Sequence, residues 1–148
     1  MNKRILLFVF AFLLSVQVIG QDAVQYIQTG NSLFRDQEYY WAIEFYKKAL
    51  DQEGSDQAFA YYALGECYRF LFDYASAEYN YQRSDDLNDK RYPLAKFYYA
   101  SMLKQNGKYD RALPNFEKFV EIIPDYFNDN EIYRDFYRQA KNVREGCM

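Results

Sequence analysis

Apolar side chains recur along this chain at helical spacing, and short polar runs interrupt the pattern at regular intervals. In residues 61–82, YYALGECYRFLFDYASAEYNYQ, the positions Tyr61, Leu64, Gly65 and Tyr68 fall at i, i+3, i+4 and i+7 and so share one helix face. A polar break follows, and Ala77 and Tyr81 open a second stripe. A glycine in a helix interior costs about 1 kcal/mol against alanine. Gly65, with Ala77 opposite it, therefore predicts that something large comes close at this point.

The pattern repeats. Ala42, Ala77 and Ala112 each stand four residues before an aromatic, Tyr46, Tyr81 and Phe116, and the spacing between copies is 35 residues both times. Twelve places before each alanine lie Gly30, Gly65 and Ala100, and three places beyond those lie Leu33, Tyr68 and Leu103. Three copies, about 23–56, 58–91 and 93–126, thus align without a gap. Two helical stripes per copy predict an all-α fold of stacked helical hairpins, in which a neighbouring repeat is the large object beside Gly65.

Local signals fit the same plan. Gly107 closes one helix, Asp110 caps the next, and Pro114 falls within or just past its first turn. Near the end of the chain, Asn128 and Glu131 suit a capping box, and Ile132, Phe136, Ala140 and Val143 make an apolar stripe up to Gly146. This predicts a capping helix at about 129–146 that covers the third copy, whose apolar face would otherwise stand in water. Glu44 and Glu78 fall on the outer side of the second helices.

The first residues have a different character. Lys3 and Arg4 precede an apolar run from Ile5 to Val16, with Val18 and Gly20 behind it. That layout predicts a signal peptide at 1–20, cut between Gly20 and Gln21, and an exported 21–148 domain in the periplasm or cell envelope. The alternative is an uncleaved tether, although the run falls short of the roughly 20 apolar residues of a spanning helix. With 18 basic and 21 acidic groups the chain carries a net charge of −3. Loss of Lys3 and Arg4 with the leader makes it more acidic, which argues against nucleic acid as a partner.

Chemistry is sparse. The sequence has 0 histidines, which removes the commonest general base and most transition-metal sites. It lacks a phosphate-binding glycine loop and any CxxC pair. Asp85, Asp86 and Asp89 read as a solvated turn between copies, and Cys67 and Cys147 lie too far apart in the array for an internal disulfide. The reading is of a non-enzyme with no catalytic residue, metal, cofactor or small-molecule substrate, whose function lies in its surface.

The positions Tyr61, Leu64, Gly65, Tyr68, Ala77 and Tyr81 stand at the spacing W-x2-L-G-x2-Y…A-x3-F, so the chain resembles the tetratricopeptide repeat family from Ala23 to about Asp125. The first copy carries Tyr26, Gly30, Leu33, Ala42, Tyr46 and Ala49; the third departs more on its first helix, with Lys96, Tyr99 and Ala100, and ends on Pro124. The resemblance implies a right-handed α-solenoid of three hairpins plus a capping helix, with a concave groove lined by the first helix of each copy. Carried onto this sequence, the family's groove positions are Val24, Ile27, Asn31 and Phe34, then Phe59, Tyr62, Glu66 and Arg69, then Leu94, Phe97, Ser101 and Lys104. Ile27, Asn31, Phe34, Arg35, Tyr62, Glu66, Arg69, Phe97, Ser101 and Lys104 form the candidate site for a protein or peptide partner. Tyr62, Glu66 and Arg69 are expected to lack partners within their own copy. Of the family's lysine and asparagine carboxylate clamp, only Asn31 is present.

A leader followed by such repeats is also similar to the N-terminal region of Bacteroidota envelope proteins that continue into a β-propeller and an OmpA-like domain, some of them tied to type IX secretion. That resemblance implies an envelope adaptor or scaffold that binds another envelope protein. A non-catalytic accessory subunit, an N-terminal fragment of a larger envelope protein and a membrane-tethered scaffold remain open alongside it.

Overall fold

The computed structural model describes residues 21–126 and 130–146, except for the side chains of residues 21 and 144–146. The segment 1–20 expected to be a signal peptide, Asn128 and Cys147 lie outside the described residues. Helices run over Gln21–Arg35 (α1), Tyr39–Leu50 (α2), Gln57–Phe70 (α3), Tyr74–Asp86 (α4), Leu94–Gln105 (α5) and Tyr109–Ile122 (α6); a 3-10 turn at Ile123–Tyr126 leads to Glu131–Gly146 (α7). Each helix packs on the next, giving three hairpins in series, and α7 lies against α6 and the 3-10 turn. The all-α, solenoid-like class read from the sequence holds. Among the described residues there is no strand, and no helix is long and apolar enough to cross a membrane.

The 35-residue register extends to the turns. Each hairpin bends at a residue in the left-handed region, Gln37 (φ 63°), Phe72 (φ 61°) and Gly107 (φ 73°). Behind each, the next amide reaches back five residues, Glu38 to Leu33, Asp73 to Tyr68 and Lys108 to Leu103, at 2.9, 3.0 and 2.8 Å. This is the six-to-one closure that satisfies orphan carbonyls at a helix end. Glycine takes the conformation freely; Gln37 and Phe72 adopt it at a cost of about 1 kcal/mol each.

Helix starts are unequal. Asp56 accepts from the Phe59 amide at 3.2 Å to cap α3, and Asp73 accepts from the Ser76 amide at 3.1 Å to cap α4. The expected cap by Asp110 is corrected, because α6 begins at Tyr109 and Asp110 lies inside its first turn, where its charge meets the positive end of the helix dipole. Of the expected capping box, Asn128 lies outside the described residues; Asn130 Oδ1 accepts from the Ile132 amide at 3.0 Å, and Glu131 pairs with Arg134 and Arg138.

Gly65 meets its neighbour within its own hairpin. A Cβ added there would stand 2.8 Å from two ring carbons of Tyr81, and one at Gly30 would stand 2.7 Å from the ring of Tyr46. The large object is therefore the tyrosine of the second helix in the same copy, not a neighbouring repeat. The third hairpin has Ala100 facing Phe116, both buried. Around these pairs lie two continuous apolar clusters, one between the first and second hairpins and one running from Tyr81 through Phe97, Leu103 and Phe119 to Ala140. Tyr133, Phe136, Tyr137 and Val143 of α7 pack on the second cluster. Ile132, expected in that stripe, is 61 % exposed, since the packed face of α7 is offset by one residue from it.

Polar ties cross between hairpins. Glu78 is buried rather than on a free outer face: it accepts from Lys108 Nζ at 2.8 Å and Asn106 Nδ2 at 2.7 Å. Asp56 binds Arg91 at 2.7 Å and the Tyr92 hydroxyl at 3.1 Å in addition to capping α3. The acidic turn at 85–89 is likewise more engaged than a solvated turn, because Asp85 pairs with Lys96 at 2.8 Å and Asp89 pairs with Arg91.

Gly65→Ala tests the ring contact. Helix propensity favours alanine by about 1 kcal/mol, whereas forcing a methyl against a fully buried ring costs about 1–3 kcal/mol. We expect a net loss of stability, seen as a lower urea midpoint; an unchanged or higher midpoint would show that the Tyr81 ring yields.

Candidate partner-binding surface

The first helices α1, α3 and α5 carry the candidate residues, and their positions are set by what the tyrosine of each hairpin does. The Tyr46 hydroxyl donates to Asn31 Oδ1 at 2.8 Å. One copy later the Tyr81 hydroxyl donates to Glu66 Oε1, and Arg69 binds both the other Glu66 oxygen at 2.6 Å and the Tyr81 oxygen at 3.2 Å. In the third copy Phe116 has no hydroxyl, and Ser101, at the place of Asn31 and Glu66, turns to the Phe97 carbonyl at 2.9 Å. Polar partner and hydroxyl are thus present together or absent together.

This corrects the expectation that Tyr62, Glu66 and Arg69 lack partners in their own copy. Tyr62 sits edge-on to Tyr81 at 5.8 Å between centroids, and its other neighbours are Tyr92 and Tyr98 at 6.0 and 6.1 Å. Phe97 is corrected too: it is buried against Phe116, Phe119 and Phe136, and its contact with Phe136 of α7, 4.8 Å between centroids, is the closest of the three. Asn31 and Ser101 are half-buried in the bonds described, and Ile27 is half-buried, as are Phe59 and Leu94. Arg35 and Lys104 are exposed, and so is Val24.

The structure brings a continuous line of rings and cations together across the three hairpins. Phe34 contacts Tyr39 and Phe70 at 5.4 and 5.7 Å, and Tyr39 stacks on Phe70 at 5.1 Å. The Arg69 guanidinium lies 4.5 Å from the Phe70 ring and 5.1 Å from that of Tyr98. Tyr98 in turn stacks on Tyr81 at 5.2 Å and touches Phe136 at 5.6 Å. Phe70, 41 % exposed, and Tyr98 are members that the sequence reading missed. Each lies one residue past a family groove position, Arg69 or Phe97, and one residue turns the side chain by roughly 100° around the helix. The signal present was an aromatic directly after each groove position, Phe70 after Arg69 and Tyr98 after Phe97.

Protonation follows from this packing. Burial, and after it the Glu66 charge, push the hydroxyls of Tyr62, Tyr81 and Tyr98 above the usual phenol range, so they remain donors. The same two causes push the free Cys67 thiol up to about 12. Burial, the largest single influence, would lower Arg69; its hydrogen bonds to Glu66 and Tyr81 and the charge interactions with the same two groups together outweigh that and hold the guanidinium firmly charged. Among the described residues no group of three His, Cys, Asp or Glu is arranged to hold a metal ion. The site offers rings, fixed cations and protonated hydroxyls, which suit recognition of a chain segment.

Tyr81→Phe isolates the lock. It removes the hydroxyl shared by Glu66 and Arg69 at the cost of about 1 kcal/mol. Adding Glu66→Ser, which reproduces the pairing of Ser101 with Phe116, is expected to recover part of the loss; strictly additive losses in chemical denaturation would show that the two groups act independently.

Glu78 sets an acid limb. Burial raises its carboxyl, but the bonds from Lys108 and Asn106 and the charges of Lys108 and Arg111 outweigh this and hold it below the usual range. Its contribution is therefore present above about pH 5 and is lost as pH falls through the lowered folded value. Glu78→Gln should flatten the acid side of a stability-versus-pH curve; an unchanged slope would remove Glu78 from that role.

Residues 95–126, spanning α5, α6 and the 3-10 turn, match the family model described as Tetratricopeptide repeat. The match falls on the copy that departs more on its first helix, where Ala100, Ala112, Phe116 and Pro124 keep the spacing. Comparison with curated proteins finds no match. The chain thus contains a tetratricopeptide repeat within an all-helical stack of hairpins.

Proposed function

We propose that the protein is an exported adaptor of the cell envelope, which holds a segment of another envelope protein along the line Phe34, Phe70, Arg69 and Tyr98. The observation that carries this reading is the continuity of that line across α1, α3 and α5, with Phe70 open to solvent in the middle and the cations Arg35 and Lys104 exposed on α1 and α5. A tetratricopeptide repeat supports a protein-interaction scaffold in general. The ligand chemistry that fits is an extended segment with apolar side chains for Phe34 and Phe70 and a carboxylate for Arg35 or Lys104. Export rests on Lys3, Arg4 and the apolar run that follows them. The envelope assignment rests on the resemblance to Bacteroidota envelope proteins.

Because Tyr62 and Phe97 hold the core together, the informative substitutions are at Phe70 and Arg35. Phe70→Ala with Arg35→Glu is expected to weaken capture of the native partner by about tenfold or more, as loss of a central anchor does, with helix content retained and the melting temperature lowered only by the lost ring contacts of Phe70. A photo-crosslinker at Lys104 should label that partner, and one at Glu117 on α6 should not. Equal labelling from both positions, or full binding by the double variant, would move the partner elsewhere. Export is checked separately by intact mass: a native N-terminus at Gln21 supports it, and Met1 retained in the membrane fraction overturns it.

A further inference from the structure

Among the groove positions carried onto this sequence, Glu66 is the one acid. Its counterparts one copy to either side, Asn31 and Ser101, are uncharged, so the three hairpins differ here in charge as well as in hydrogen bonding. The difference bears on what stands three residues further along each first helix, where Phe34, Arg69 and Lys104 occupy equivalent places. In the third hairpin the cation is not matched from that position: Lys104 is exposed, and Ser101 donates to the Phe97 carbonyl instead. In the second hairpin it is. One Glu66 oxygen accepts from the Arg69 guanidinium at 2.6 Å, the other accepts from the Tyr81 hydroxyl, and Arg69 Nε donates to that same hydroxyl oxygen at 3.2 Å. The Arg69 and Glu66 side chains are 27 % and 15 % exposed, a setting in which salt screens charge less than on an open surface.

A ligand carboxylate laid over the centre of the line meets Glu66 before it can use Arg69. It would have to displace a carboxylate that already holds two partners and leave that carboxylate half-buried without them, which is costly. A ligand cation finds both Glu66 oxygens engaged and a guanidinium beside them. What the centre offers without displacing anything is ring surface: Phe70, open to solvent, with Arg69 stacked against it and against Tyr98. The unmatched cations stand to either side, Arg35 on α1 and Lys104 on α5. We infer that Glu66 is the specificity-determining residue of this groove: it cancels the central cation, so the middle of a bound segment is uncharged and apolar and its acidic residues fall toward α1 and α5. The inference rests on the adaptor reading of the same surface and supplies the charge pattern of its partner.

The probe is a displayed library of random segments of about seven residues, the length of extended chain that crosses three helices about 10 Å apart at roughly 3.3 Å per residue. The library is selected on the purified protein and on its variants. The natural sequence is expected to enrich segments with an apolar, uncharged middle and an acid toward an end. Glu66→Gln, which keeps an acceptor beside Tyr81 and Arg69 and removes the charge, is expected to enrich segments with an acid in the middle. One labelled peptide of each kind then gives the ratio of affinities by fluorescence anisotropy. Glu66→Gln should move that ratio by about tenfold or more toward the central acid, and adding Arg69→Gln should abolish the gain. Should Glu66→Gln lose helix content, Glu66→Ser with Tyr81→Phe, the pairing of the third hairpin, takes its place with the same expectation. A variant that weakens both peptides equally has lost structure and not selectivity; that result overturns the inference, as does enrichment of central acids by the natural sequence. In either case, loss of peptide binding in Phe70→Ala shows the groove reading intact. A selection that enriches no segment, or segments whose binding ignores Phe70→Ala, overturns the adaptor reading and this inference with it.

Discussion

The first two hairpins, and the surface they carry, depend on one contact, the flat ring of a second-helix tyrosine laid against a bare glycine of the first helix. Tyr46 over Gly30 and Tyr81 over Gly65 bring the two helices of a hairpin to a distance that no Cβ permits. The hydroxyl at the ring's edge then fixes Asn31 or Glu66, and through Glu66 it fixes Arg69. Packing and polar geometry are therefore set by the same side chain. Moving the ring would move the cation that lies over Phe70 and Tyr98.

The surface inherits its character from this arrangement. A guanidinium clamped between a carboxylate and a phenol loses little freedom when it meets a ligand, because its ordering has already occurred on folding. The rings beside it are held by edge and stacking contacts with their neighbours, worth about 0.5–1.5 kcal/mol each beyond their area. What α7 adds is a boundary. By closing over Phe97 and Tyr98 it ends the open part of the line at Tyr98 and shifts the accessible region toward α1 and α3.

The hairpin plan was legible because it is written in spacing. Alanines before aromatics and small residues twelve places earlier recur in strict register, and any chain with that pattern must bring the same pairs together. The partner of Gly65 was misread because spacing says which face a residue occupies and not how large its opposite number is; the ring and the neighbouring repeat fit the pattern equally. Phe97 was misread for a different reason. Its groove position follows from its own helix, but its burial comes from Phe136, 39 places along, on an element outside the repeat. Glu78 belongs to the same class, since the residues that bury it, Asn106 and Lys108, stand in the next hairpin's turn. Phe70 and Tyr98 escaped notice because the inherited groove positions name the residue just before each of them, Arg69 and Phe97.

Asp56 has a consequence for how the array comes apart. In a chain of stacked repeats, each unit ordinarily feels its immediate neighbour alone, and ends can fray while the middle survives. Here one carboxylate holds the start of α3 and also the arginine and tyrosine that lead into α5, reaching past the whole of α4. Opening the third hairpin removes two partners from the group that caps the second. Local loosening at the entry to α5 is thereby transmitted across the intervening helix to the start of α3, which couples the second and third hairpins at both ends of α4.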